Sequence, residues 1–191
     1  MTVDQHPVRE PVRILAFGGS TRPGSSSERA LRTAARTAER LGARVKVIAG
    51  PDLMLPLYQP EAPTRAGQAR VFVGEIRRAD GILLASPGYH GTMSGLVKNA
   101  LDYLEDLRDA ERTYLDGVPV GCIAVAHGWQ AAVSTVHNLR MAVHALRGWP
   151  TPLGVAVNAA ETSAQERIDA QLESVAAQVV HFATARIPVQ A

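Results

Sequence analysis

The chain has 191 residues, of which 46% are hydrophobic and 20% are charged, as in ordinary globular proteins. Its formal net charge is only +2 and its basic residues are interspersed with acids, which argues against nucleic acid as a partner. The single cysteine, Cys122, excludes an intramolecular disulfide and a cysteine-rich metal site, and no apolar stretch reaches the roughly 20 residues of a membrane span. We therefore expect one cytoplasmic domain over residues 1–191, with flexible tails at 1–11 and 186–191 and no metal.

Short apolar runs alternate with helical patterns along the chain. The runs are apolar at nearly every position, which is typical of parallel strands buried on both faces, whereas the helices show apolar residues three and four apart. In chain order, the predicted elements are a strand at 12–17, a helix over 27–41, a strand at 44–49, a helix near 65–78, a strand at 81–86, a helix from Ser94, a strand at 118–126, a helix over 130–146, a strand at 153–157 and a last helix opened by the capping pair Ser163 and Glu166.

Five strands that alternate with five helices predict a doubly wound parallel sheet with helices on both faces. In such sheets, ligands bind beyond the carboxyl ends of the strands. Three loops should meet there, at residues 18–27, 87–92 and 127–130. A proline-rich connection at 51–63 cannot be regular structure throughout and is long enough to be functional.

The loop at 18–27 reads GGSTRPGSSS and leads directly into a helix. Hydroxyls, free backbone amides at a helix N-terminus and the Arg22 guanidinium would converge there, which favours a phosphate-binding loop. The alternative is a flexible turn with an ordinary serine cap. The loop lacks both GxGxxG and a GK[ST] ending, so the dinucleotide and P-loop patterns fail. The candidate phosphate ligands are Ser20, Arg22, Ser25, Ser26 and Ser27.

The loop at 87–92 supplies a second group of candidate ligand-binding residues, which are Pro87, Gly88, Tyr89, His90 and Gly91. Its glycines would let the backbone approach a flat ligand. Tyr89 would stack on or border an aromatic ring, or else pack within the turn. His90 would contact the edge of such a ring, or else lie on the surface.

The third loop, at 127–130, contributes His127 and Gly128. Its backbone amides would face the side of a bound ring where negative charge accumulates. Trp129 follows, and its residue type fits a dimer interface or the core as well as a binding site.

Two stretches match sequence motifs of one known protein family. The form G-S-x-R-x-x-S-x-[NS] is matched by Gly19, Ser20, Arg22, Ser25 and Ser27. The form P-x-Y-N-G-S-x-x-G-x-L-K-N-x-x-D is matched by Pro87, Tyr89, Gly91, Gly95, Lys98, Asn99 and Asp102, with departures at His90, Thr92 and Val97. Lys98 and Asp102 lie four residues apart and predict a surface ion pair. Over nearly its whole length the chain resembles the NADPH-dependent FMN reductase family of the flavodoxin-like superfamily.

The resemblance implies a flavodoxin-like fold with a five-stranded sheet in the order 2-1-3-4-5. It also implies FMN as cofactor, held at its phosphate by the first motif, and NADPH or NADH as hydride donor. Because the cofactor carries hydride chemistry, no catalytic side chain is assigned. The electron acceptor would be a small molecule, or reduced FMN would pass to a flavin-dependent monooxygenase. Rival functions are a quinone or azo reductase that retains FMN, and a flavodoxin-type electron carrier.

Two further expectations follow from the resemblance. Family members form dimers or tetramers, and here the helices at 94–107 and 130–146 would be buried between subunits. Their apolar residues exceed what one stripe against the sheet needs; they include Leu101, Leu104, Val136, Leu139 and Val143. Specialisation toward an unusual substrate would show at His90 and in the segments at 108–112 and 51–63.

Overall fold

The structure, a computed structural model, describes residues 10–161 and 164–186. Most of the two predicted tails and Ser163, one half of the predicted capping pair, therefore lie outside the described residues. The elements in chain order are β1 (Arg13–Gly18), α1 (Ser26–Arg40), β2 (Arg44–Ala49), a 3-10 helix (Gly50–Leu53), α2 (Gly67–Arg78), β3 (Gly81–Tyr89), β4 (Thr92–Met93), α3 (Gly95–Asp102), a second 3-10 helix (Tyr103–Leu107), β5 (Pro119–Ala126), α4 (Trp129–Ala145), β6 (Trp149–Pro150), β7 (Val155–Asn158) and α5 (Gln165–Arg186).

The strands form one sheet in the order β2-β1-β3-β5-β6, in which β7 also pairs with β5 and the short β4 pairs antiparallel with β3. The α/β architecture is as predicted, but the count of five strands in the order 2-1-3-4-5 was wrong, because the described part of the chain forms a sheet of seven strands. The predicted strand at 153–157 is replaced by β6 and β7, both parallel to β5. Pro152 has no amide to donate, and the Leu153 amide donates to Gln178 on α5 at 3.0 Å, so the ladder is interrupted between them.

Each face of the sheet carries its own hydrophobic cluster. One cluster joins β1 and β3 to α1 and α5, and the other packs α2, α3 and α4 on the opposite face, with Phe17 and Phe72 edge to face at 5.2 Å. The five residues expected at a subunit interface are all buried in this second cluster and were wrongly assigned; they are Leu101, Leu104, Val136, Leu139 and Val143. They are covered by the sheet and by neighbouring helices of the same chain. Cys122 is fully buried as well, as its apolar surroundings indicated.

Parallel pairing of β1, β3 and β5 brings their carboxyl ends to one edge of the sheet. At that edge Gly18 has a φ of +133°, and a Cβ there would lie 1.8 Å from the Ala85 carbonyl oxygen of β3. Only glycine allows the chain to leave β1 this close to its neighbour. No helix within residues 10–161 and 164–186 is long and apolar enough to cross a bilayer.

Candidate functional site

A cavity of about 540 Å³ opens at the carboxyl edge of β1, β3 and β5. All three predicted loops meet there, and eleven of the twelve predicted site residues line it; they are Ser20, Arg22, Ser25, Ser26, Ser27, Pro87, Gly88, Tyr89, His90, Gly91 and His127. Thr21, Val125, Ala126, Ala131 and Ala159 complete the lining and were not singled out from the sequence. The predicted convergence of the loops is thus present in the structure.

The first loop is ordered by its own serines at the start of α1. Ser25 is the N-cap, and its Oγ accepts from the Glu28 amide at 3.3 Å and lies 3.3 Å from the Ser27 hydroxyl. The Ser20 hydroxyl accepts from the Arg22 amide at 3.2 Å. These three serines are buried, while the Arg22 side chain is exposed at the cavity. The loop therefore presents a helix N-terminus, hydroxyls and a cation to one space.

Sequence reasoning missed two residues that hold this loop. The Gly24 amide donates to Glu28 Oε2 at 2.9 Å, and the Gly24 carbonyl accepts from Arg29 Nη1 at 2.6 Å. The signal was available, because Ser25 and Glu28 form the S-x-x-E pattern of a capping box. In this chain the Glu28 carboxylate reaches one residue further back than that pattern usually does.

The second loop is a β-hairpin, because β3 extends to Tyr89 instead of ending at the predicted residue 86. Gly88 pairs with Met93 and Tyr89 with Thr92, which leaves His90 and Gly91 as a two-residue turn. Both turn residues have positive φ, 52° at His90 and 80° at Gly91. Asn-Gly is the favoured pair for such turns, so the motif that this loop resembles has a backbone explanation.

The hairpin is fixed to α4. Ser134 Oγ donates to the Gly91 carbonyl at 2.6 Å. A Cβ on Gly88 would lie 2.8 Å from Thr135 Oγ1 and 2.9 Å from Ala126 Cβ. Gly88 is therefore required by packing within the protein, whereas sequence reasoning attributed it to the approach of a ligand. Tyr89 lines the cavity with about half of its surface exposed, so it is not packed within the turn.

The third loop places His127, an exposed side chain, on the cavity. Gly128 does not line it, and the Gly128 amide, which was expected to face a ligand, donates to Asn158 Oδ1 at 2.8 Å. Trp129 begins α4, and its indole Nε1 donates to Glu161 Oε1 at 2.5 Å. His127 is thus the predicted residue of this loop that reaches the cavity.

The remaining candidate segments are bound to the scaffold. Arg112, in the segment at 108–112, donates to the carbonyls of Ala79 and Ile76 and so caps the last turn of α2. Asn99 of the second motif accepts from the Tyr58 amide at 2.8 Å and thereby holds the long loop against α3. The predicted ion pair of Lys98 with Asp102 is present at 2.5 Å. None of these residues lines the cavity.

The cavity has a clear electrostatic character. Its lining residues include one arginine, two histidines and several hydroxyls, and among the residues that the structure describes no aspartate or glutamate lines it. Free amides at the start of a helix add partial positive charge. The volume is within the roughly 300–1,000 Å³ range of small-molecule sites. The donor set therefore fits a small anionic ligand, such as one with a phosphate group.

Comparisons with known proteins agree with this fit. The chain is 34% identical over 86 residues to an NADPH azoreductase of Bacillus sp. (strain OY1-2), across 44% of this chain and 45% of that protein, so it spans about half the length of that relative. It is 28% identical over 168 residues to an NAD(P)H-dependent FMN reductase of Pseudomonas aeruginosa, across 85% and 84% of the two chains.

Among solved structures, a WrbA-like flavodoxin from Agrobacterium tumefaciens superposes with a TM-score of 0.65 at 15% identity, across 93% of this chain and 99% of that chain. This likeness shows a flavodoxin-like fold. The family model for NADPH-dependent FMN reductases matches residues 12–162, which include every residue that lines the cavity. The chain therefore belongs to the NADPH-dependent FMN reductase family.

Proposed function

We propose that the protein binds FMN in this cavity and acts as an NAD(P)H-dependent flavin reductase. The observation that carries the proposal is the serine-rich loop with Arg22 at the start of α1, facing a cavity that no carboxylate of the described residues lines. A terminal phosphate is a dianion near neutral pH, and a helix N-terminus with an arginine is a strong site for it. Family membership supports the same cofactor.

In this proposal the first loop holds the FMN phosphate through Ser20, Arg22 and the residues 25–27. The hairpin residues Pro87–Gly91 and His127 border the ring, and Tyr89 offers an aromatic face beside it. The bound flavin supplies the hydride chemistry. The protein residues bind and orient the two nucleotides, since hydride transfer requires close placement more than acid or base catalysis.

Scaffold contacts keep these groups in position without a ligand. The hairpin tip is held by Ser134, and the first loop is held by Glu28 and Arg29. A site whose donors are already ordered loses less entropy on binding. The neutral and cationic lining also favours the reduced flavin, which carries more negative charge than the oxidised form.

A single set of assays tests the proposal. NADPH and NADH oxidation would be followed with free FMN, FAD, a quinone and an azo dye, and FMN retention would be measured by gel filtration. A flavin reductase oxidises NAD(P)H with free FMN and releases the flavin. Retained FMN with dye or quinone reduction would instead indicate the second candidate, which the azoreductase relative supports. Retained FMN without NAD(P)H oxidation would indicate an electron carrier.

The proposal includes a homo-oligomer formed through the outer face of α4. Val133, Met141 and the nearby Trp149 are 43%, 70% and 69% exposed. Val133 and Met141 lie eight residues apart and so share one side of the helix. These residues replace the five buried ones that the sequence suggested. Light scattering at micromolar concentration checks the assembly, and a monomer would contradict it.

A further inference from the structure

Glu28 is a buried carboxylate that helps to hold the first loop but does not line the cavity. Its side chain is 9% exposed. Oε2 accepts from the Gly24 amide at 2.9 Å, and Oε1 accepts from Arg32 Nε at 2.8 Å. Arg32 lies four residues after Glu28 on α1 and forms an ion pair with it. The negative charge of Glu28, which lies next to the proposed anion site, is therefore paired within the helix.

Two glycines leave room for this carboxylate. A Cβ on Gly50, where φ is +57°, would lie 3.3 Å from Glu28 Oε2. A Cβ on Gly19, where φ is +94°, would lie 3.4 Å from Glu28 Cβ. Glu28 therefore lies between the end of β1 and the 3-10 helix that follows β2. In this position the Glu28 carboxylate contacts the backbone of the loop and does not line the cavity.

The carboxylate controls the direction of one peptide group in the loop. Gly24 has a φ of +66°, and apart from Gly24 and its two chain neighbours no heavy atom of the described residues lies within 4 Å of the place where its Cβ would be. The two peptide groups that flank Gly24 are therefore held by hydrogen bonds more than by packing. Glu28 binds the Gly24 amide and Arg29 the Gly24 carbonyl, so the loop enters α1 in one conformation. Without these two hydrogen bonds, Gly24 would become ordered only when the ligand binds, and the entropy lost in ordering it would weaken binding.

We propose that Glu28 is a positioning residue that preorganises the loop at 18–27 for a phosphomonoester and thereby sets the preference for FMN over riboflavin. The inference rests on the proposed function, because it assumes that the FMN phosphate binds at this loop. Glu28 does not touch the ligand. It acts through the Gly24 amide, and its role depends on an acceptor at Oε2 more than on its charge.

The test compares dissociation constants of FMN and riboflavin by flavin fluorescence for the wild type and four variants. Glu28→Ala removes the acceptor and is expected to weaken FMN by about tenfold while riboflavin changes little. Glu28→Gln keeps an oxygen that accepts from Gly24 and is expected to restore most of the FMN affinity. Glu75→Ala is the matched control, because Glu75 pairs with Arg78 on the distant α2.

The fourth variant, Glu28→Asp, retains the charge on a side chain too short to reach Gly24, and covers the case in which Glu28→Ala does not fold. It is expected to lose FMN affinity as the alanine variant does. An unchanged ratio of FMN to riboflavin affinity in Glu28→Ala or Glu28→Asp would overturn the inference, as would equal loss in the Gln and Ala variants. If the wild type itself binds both flavins equally, the proposed phosphate site is wrong, and the inference with it.

Discussion

Arg22 offers a direct measurement of the proposed phosphate site. Its side chain is exposed at the cavity, and within the described residues no hydrogen bond or ion pair reaches its guanidinium. Arg22→Ala should therefore leave the unfolding temperature of the ligand-free protein unchanged. Hydrogen bonds to charged groups contribute about 1.5–3 kcal/mol. FMN binding should weaken by that amount, which corresponds to a roughly 10- to 150-fold rise in the dissociation constant.

The assay is a fluorescence titration of FMN and riboflavin with the wild type, Arg22→Ala and Arg22→Lys. Lysine keeps the charge but lacks the two-pronged geometry of a guanidinium, so its FMN affinity should be intermediate. Riboflavin has no phosphate and should bind all three proteins alike. An FMN dissociation constant that does not change in Arg22→Ala would remove this residue from the site. Equal losses for both flavins would place it at the ring instead of the phosphate.

Four other outcomes are expected. The protein should bind FMN more tightly than FAD in calorimetry, because the first loop suits a terminal phosphate dianion and FAD has only a pyrophosphate diester; equal affinities would count against the loop assignment. His90→Asn should raise the free energy of unfolding by up to about 1 kcal/mol in urea titrations, since asparagine tolerates the positive φ better; a loss of stability would refute this reading of the turn. Burial raises the pKa of Cys122 to about 12, so iodoacetamide at pH 8 should label it only after unfolding, and labelling of the native protein would be inconsistent with this. Met141→Glu should give a monomer by light scattering with its fold intact, whereas a persistent oligomer would exclude this face of α4.

The alternation of strands and helices could be predicted because burial on both faces leaves a strong mark in the sequence. The second strand was predicted at 44–49 and is found at Arg44–Ala49, and the first helix differs from its prediction by one residue at each end. Convergence of the three loops was predictable for the same reason. Once the strands are parallel, their carboxyl ends share one edge. The location of the site is thus a consequence of the parallel direction of these strands.

Other features depend on contacts between distant residues that local patterns do not show. The break between β6 and β7 depends on a hydrogen bond from Leu153 to Gln178, 25 positions away. Leu104 and Leu139 are apolar in the sequence, but apolarity does not show whether a neighbouring helix or a second subunit covers them. Glu28 could have been identified from its capping-box spacing, yet its bond to Gly24 requires the left-handed turn that precedes it.

The departure from the family motif at His90 shows why residue identity and backbone conformation must be considered together. In the sequence the change from Asn to His suggests an altered contact with the flavin ring. In the structure His90 is the first central residue of a tight turn with positive φ, where Asn is favoured even without a ligand. The turn tolerates His90 because Gly91 supplies the second positive φ and because the Gly91 carbonyl accepts a hydrogen bond from Ser134. An imidazole at the cavity is then a property of this chain, obtained at a modest cost in backbone strain. Replacing His90 with Ala would remove the side-chain contact without relieving the strain, whereas Asn relieves the strain and keeps a polar side chain at the turn. Comparing the two variants therefore separates the effect of strain from that of the contact.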